Sequence, residues 1–245
     1  MPRFLLSLLA SSVLVLALGM PSVLAQEVTP VIDPASFSSV VTNPLFPLAS
    51  IRQEVFEGEE QDPESDEPIA IHIELAVLPE TTTIAGIAAT VVEVNEYEDG
   101  ELVEHTLDYY AQHRDGTVYY LGEDIDTYEE GEVVGHEGAW LAGEGANQPG
   151  VYMPAHPEVG QTFEQERAPG VAEDQSTVLA VDQTIVTPAG EFSGCLHVED
   201  VAPIEGSTGE KHYCPGVGIA REEFANGYLD LVSFESVASA TPAAG

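Results

Sequence analysis

Along most of the chain apolar and polar residues alternate with a period of two, in short runs rich in Val, Ile, Thr and aromatics punctuated by Gly, Asp-Gly and Pro-Gly. A period of two puts successive side chains on opposite faces of a strand, and no segment keeps a helical period over three turns. The pattern predicts strands at 51–57, 68–78, 83–98, 101–114, 117–127, 132–141, 161–167, 176–187, 192–202, 210–214, 217–225 and 228–236. Their turn signals make the fold class all-β, an antiparallel meander. Residues 26–50 carry Pro30, Pro34, Pro44 and Pro47 and read as an extended lead-in, with Phe46 and Leu48 docking on the core. Residues 51–236 read as a single β domain and 237–245 as a loose tail.

Two Asp-Gly dipeptides sharpen the register. With Asp99-Gly100 as a two-residue loop, Glu98 faces Glu101, Val94 faces His105 and Val92 faces Leu107. With Asp115-Gly116 treated alike, Arg114 faces Thr117, His113 faces Val118 and Ala111 faces Tyr120. Alternation then collects Val92, Val94, Val103, His105, Leu107, Tyr109, Ala111, His113, Val118 and Tyr120 on one apolar face. It sends Glu93, Asn95, Glu104, Thr106, Asp108 and Gln112 to a wet one.

Charge narrows the partners. Asp plus Glu number 43 against 6 Lys plus Arg, for a net charge of -37, while 44% of residues are hydrophobic. A core is therefore available, and nucleic-acid backbones and anionic membrane surfaces are excluded, because both recruit Lys and Arg. The acidic surface has two readings: polyvalent binding of cations such as calcium, or a solvated face with no specific ligand. The stretch Glu57–Pro68 lacks the Asp-x-Asp-x-Asp-Gly order of a calcium loop and reads as an exposed connection. Arg3, the apolar run Phe4 to Gly19 and Val23-Leu24-Ala25 mark 1–25 as a signal peptide. The expected location is secreted or periplasmic, and no later stretch is a membrane span.

Several motifs carry a resemblance. They are Asn43-Pro44-Leu45-Phe46-Pro47-Leu48, Tyr110-Ala111-Gln112 with Asp115-Gly116, Gly122-Glu123-Asp124, Glu137-Gly138-Ala139-Trp140, Gln148-Pro149-Gly150, Met153-Pro154-Ala155, Pro169-Gly170-Val171-Ala172-Glu173-Asp174 and Tyr213-Cys214-Pro215-Gly216-Val217-Gly218. Over about residues 43–221 the chain resembles a family of exported bacterial β proteins with no established activity. The resemblance implies a curled antiparallel sheet or half-barrel, similar to periplasmic lipoprotein-carrier folds. The chain departs from the pattern at Ala49-Ser50-Ile51, where a Pro-Gly and an aromatic are expected.

Chemistry-bearing motifs are few. There is no Gly-x-Ser-x-Gly elbow, His-Glu-x-x-His or phosphate-cradling loop. If Glu130-Gly131 closes a hairpin, strict alternation aims Asp124, Asp126 and Glu137 at the core, where a calcium ion would neutralise them. The alternative is a β-bulge at Gly122 that switches parity, turning Ile125 and Val134 inward and those acids to water. Trp140, Tyr152 and Met153 flank the Gly- and Pro-rich stretch 143–157, either as the lip of a ligand pocket or as anchors of a long loop.

Cys195-Leu196-His197 and His212-Tyr213-Cys214 read as mirror images across a turn. Paired as one hairpin, they set Cys195 against Cys214 and His197 against His212 on one face. A disulfide is the expected outcome in an exported protein, and a reduced zinc or copper site with His197 and His212 is the alternative. The functional expectation is a non-enzymatic protein that binds a small ligand or divalent cation, or serves as a cell-envelope component. The rival is an extracellular hydrolase with a carboxylate pair in the concave face.

Overall fold

The computed structural model describes residues 33–61 and 67–237. The segment read as a signal peptide and the tail beyond Val237 lie outside them. Apart from two single-turn 3-10 segments, Pro34–Ser36 and Leu48–Ser50, the described chain is strand, turn and loop. In chain order the strands are β1 (Phe37–Ser38), β2 (Ile51–Gln61), β3 (Pro68–Ile84), β4 (Ile87–Glu98), β5 (Glu101–His113), β6 (Val118–Glu129), β7 (Glu132–Gly135) and β8 (Trp140–Leu141). They continue as β9 (Gly150–Met153), β10 (Thr162–Glu164), β11 (Gln175–Thr187), β12 (Gly190–Ala202), β13 (Ser207–Cys214), β14 (Gly218–Phe224) and β15 (Gly227–Ser236). All join one sheet in the order β10-β11-β12-β13-β14-β15-β2-β3-β4-β5-β6-β7, with β1 added to β5 and β8 and β9 added to β6.

Observed and predicted strands differ in several places, among them β1 and β9, which no predicted strand covers. The run 83–98 is the end of β3 plus all of β4, because Ala85-Gly86 makes a two-residue turn at φ 49° and 81° and pairs Ile84 with Ile87. Alanine seldom adopts left-handed φ, so the sequence carries no turn signature there. The acidic stretch is partly strand: Glu57–Gln61 extend β2 and Pro68 opens β3. The run 132–141 breaks into β7 and β8.

The sheet is open, running between two edges without closing. The pairings are antiparallel throughout, the class the alternation predicts. The terminal strands β10 and β7 have three and four residues, too few to zip one edge to the other. The two wings meet through side chains instead. Lys211 on β13 and Asp108 on β5, with β14, β15, β2, β3 and β4 between them in the order, line one cavity.

A core cluster forms where the β12–β13 hairpin packs on β2, β3 and β15. Phe56, Ile71, Val217, Ala220, Leu229 and Leu231 surround Cys195 and Cys214, which are bonded with an S–S length of 2.04 Å and a Cα separation of 4.2 Å. Residues ahead of β2 dock on the sheet, with Val41, Phe46 and Leu48 buried. Side chains pin this segment where no ladder does. Gln112 Oε1 accepts from the backbone N–H of Thr42 (2.6 Å) and Asn43 (2.9 Å), and the Asn43 amide donates to Gly116 O (3.0 Å) and Pro154 O (3.2 Å).

Candidate functional site: an acidic cavity on the inner face

Two bulges decide which residues face inward. On β5, Leu102 pairs with Tyr97 and Glu104 with Glu96, which leaves Val103 as an extra residue. Past it the parity of β5 is reversed from strict alternation. Glu104, Thr106, Asp108 and Tyr110 join Val94 of β4 on the inner face, and His105, Leu107 and Tyr109 turn to the other. This corrects the expected faces: Asp108 leaves the wet side and Leu107 the apolar one. The loop after β5 also contains Arg114 beside Asp115-Gly116, closing on His113 N to Thr117 O at 2.9 Å, so Tyr110 rather than Ala111 pairs with Tyr120.

The second bulge lies on β6, where Asp108 pairs with Glu123 and Tyr110 with Tyr120. Two residues, Leu121 and Gly122, oppose Tyr109 alone. Gly122 sits at φ 120°, and a Cβ there would lie 2.1 Å from Trp140 O, so only glycine admits the close passage of β8. The bulge brings Glu123 to the inner face beside Asp108 and Tyr120. From the other wing Gln165, Glu166 and Asp174 cover the same space. Gly150 allows this approach, since a Cβ there would meet Gln165 O at 1.9 Å.

The result is two adjoining cavities that share Val94, Asp108, Tyr110, Tyr152 and Lys211. One, of about 260 Å³, has apolar walls including Phe56, Ile73, Leu75 and Val92, with Glu54 and Glu222 among them. The other, of about 220 Å³, is lined by Glu104, Asp108, Glu123, Glu166 and Asp174 under Tyr110, Tyr120 and Tyr152. The aromatic rings brace one another, with Tyr152 centred 4.6 Å from Phe46 and 4.9 Å from Tyr110.

Few of these acids have a cation. Lys211, the only lysine in the chain, is engaged by Asp200 (3.0 Å) and Glu222 (3.7 Å), and Asp200 also accepts from the Ser176 hydroxyl. Asp108 accepts from Tyr120 (2.6 Å) and Tyr110 (3.4 Å), yet desolvation still raises its pKa above the usual carboxylate range. Glu123 and Glu166 hydrogen-bond to each other and both are raised: burial comes first in each, then the Asp108 charge for Glu123 and the Asp174 charge for Glu166. Asp174 is raised by burial and then by Glu205. Burial alone pushes Glu54 up to about 8. Two polar groups in these walls lack any partner: Glu54 Oε1 and Gln165 Nε2, on side chains only 4% and 5% exposed.

The residues singled out from sequence are scattered by comparison. Asp124 is exposed and accepts from the Tyr109 hydroxyl (2.5 Å), Asp126 lies 3.0 Å from His136, and Glu137 folds back over Gly135. The Gly122 bulge separates these acids from the inner face. His197 sits opposite His212, their rings stacked at 4.2 Å, and His197 Nε2 lies 2.7 Å from Glu210. The disulfide uses both sulfurs, which leaves no thiolate for zinc or copper. Among the described residues no three His, Cys, Asp or Glu side chains are grouped to hold a metal. Tyr152 lines both cavities, whereas Trp140 packs edge-on against Tyr120 at 5.6 Å and Met153 is fully buried opposite Val118. No histidine or cysteine motif marks Asp108, Glu123, Glu166 or Asp174; among so many acids the bulges distinguish the first two, and the loop between β10 and β11 brings in the others.

No protein-family model and no curated protein matches this chain. Among solved structures it is similar to a crystal structure described as a putative lipoprotein from Parabacteroides distasonis. The identity is 13% and the TM-score 0.42, over 79% of this chain and 99% of that one. Among the described residues no helix is long and apolar enough to cross a membrane.

Proposed function

We propose that this chain is a non-enzymatic binding protein of the cell envelope or its surroundings, holding a small ligand in the inner-face cavity. The observation that carries the reading is the pair of unpartnered groups in the cavity walls, Glu54 Oε1 and Gln165 Nε2. Leaving a buried polar atom unpaired costs about 1–3 kcal/mol, so one such atom in the walls of each adjoining cavity favours a ligand that supplies the missing bonds. The disulfide fits an oxidising compartment, in keeping with the signal-peptide reading. Native mass spectrometry of protein purified from its own source tests the proposal. A stoichiometric organic ligand is the expected result, and a ligand-free protein contradicts it.

A second reading rests on the hydrogen-bonded Glu123–Glu166 pair. Two carboxyl groups that share a proton can act as acid and base on a water held between them. Glycoside hydrolysis demands more separation, about 5 Å or greater, so this pair suits that reaction poorly. Hydrolysis of ester or peptide substrates that disappears in Glu123→Gln, with a bell-shaped pH profile, would establish this reading in place of the first.

A further inference from the structure

We infer that the ligand is a small organic ammonium ion whose charge sits among Glu123, Glu166 and Asp174, with an oxygen acceptor toward Gln165 and an apolar part along Val92 and Val94. This deepens the binding reading and rests on it. The acidic cavity presents five carboxyl groups, Glu104, Asp108, Glu123, Glu166 and Asp174, and one cation. That cation, Lys211, is already held by Asp200 and Glu222. Asp108 takes two tyrosine hydroxyls and Glu104 takes the Thr106 hydroxyl at 3.1 Å. Glu123, which also takes a bond from Tyr120, faces Glu166, and Glu166 faces Asp174; burial first and neighbouring carboxylates second raise the proton affinity of all three, more than Lys211 offsets.

Gln165 supplies the independent sign of a ligand. Its side chain is 5% exposed, lines the acidic cavity and has an amide nitrogen with no acceptor. A bare metal ion would not satisfy a donor, whereas an amine with a neighbouring hydroxyl or carbonyl satisfies both the donor and the acids. The adjoining cavity explains why the cation should be organic, because its walls at Ile73, Leu75, Val92 and Val94 call for apolar surface. The net charge of -37 draws cations toward the molecule from a distance.

The test is calorimetric titration of the full secreted chain with 2-amino-3-phenylpropan-1-ol and hexylamine, each beside its amine-free counterpart, 3-phenylpropan-1-ol or hexan-1-ol. High salt screens attraction by the surface acids. The amines should bind at least about tenfold more tightly than the alcohols, a difference of about 1.4 kcal/mol. Their binding should release protons, read as a heat that depends on the buffer, and Glu166→Gln should shrink the preference. Equal affinity of amine and alcohol overturns the ammonium assignment while leaving the ligand cavity standing. Micromolar calcium that displaces the amines overturns it in favour of a metal. Absence of binding by all four probes overturns it too, and joined to a ligand-free protein from source it removes the binding reading as well. The comparison of amine with alcohol is made on the wild type, so it survives any misfolding of the variant.

Discussion

Glu54 offers the cleanest test of how the inner face is built. Its carboxyl is 4% exposed, has an unpartnered oxygen and is raised by burial from 4.5 to about 8. Below pH 4.5 the folded and unfolded chains both hold the proton. Between 4.5 and about 8 the unfolded chain releases a proton that the folded chain keeps, so stability falls as pH rises, and above about 8 the loss levels off. At 1.36 kcal/mol per pH unit the loss is about 5 kcal/mol as a ceiling. Water entering the cavity lowers that figure to about 2 kcal/mol, since effective dielectric constants at buried sites exceed those of dry protein. Glu54→Gln removes the titration and leaves every other acid in place. Urea unfolding of both proteins at pH 4, 6, 7 and 9 should therefore show the variant gaining on the wild type by about 2–5 kcal/mol from the lowest pH to the highest. A difference that stays flat across that range, or a wild type that gains on the variant toward high pH, refutes the burial of Glu54 and with it the enclosure of the cavity.

Three further outcomes follow from particular contacts. The denatured, unreduced protein should titrate no free thiol, and reduction of Cys195–Cys214 should cost about 3 kcal/mol for a bridge spanning 19 residues in sequence. Gly122→Ala should lower stability by about 2–4 kcal/mol by thermal unfolding, because its Cβ would meet Trp140 O and its φ would be strained; an unchanged melting temperature would remove the bulge. Calcium and monovalent salt should raise the melting temperature alike at matched ionic strength, by screening a net charge of -37, and an added calcium effect that vanished in Asp124→Asn would restore Asp124, Asp126 and Glu137 as a site.

Much of the fold is legible in the sequence because a period of two and glycine turns are local signals. Asp99-Gly100 sits in the left-handed region at 49° and 86° and closes on Glu98 and Glu101, the pairing its dipeptide implies. The mirror order Cys-x-His and His-x-Cys likewise fixes the His197–His212 register. The site is less legible, since its residues face inward only because of single insertions in the ladder. Val103 is an ordinary β-branched residue with no bulge signature, yet it carries Asp108 from the solvent side to the cavity. Gly122 does carry a signature, and a parity switch there turns Asp124 outward, but the same switch brings in Glu123, which only the partner strand reveals. Gln165, Glu166 and Asp174 arrive from a loop whose path depends on Gly150 and on the opposite wing, a non-local fact no period encodes.

The central claim is that the inner cavity holds a small organic ligand. Val94 lines both halves of that cavity, so Val94→Phe fills it from the inside while replacing no charged residue. Native mass spectrometry of wild type and Val94→Phe, each purified from the natural source, compares them directly. The account predicts one organic molecule retained by the wild type and lost from the filled variant, with both proteins folded by circular dichroism. A wild type that carries nothing, or a ligand retained equally by both proteins, contradicts it.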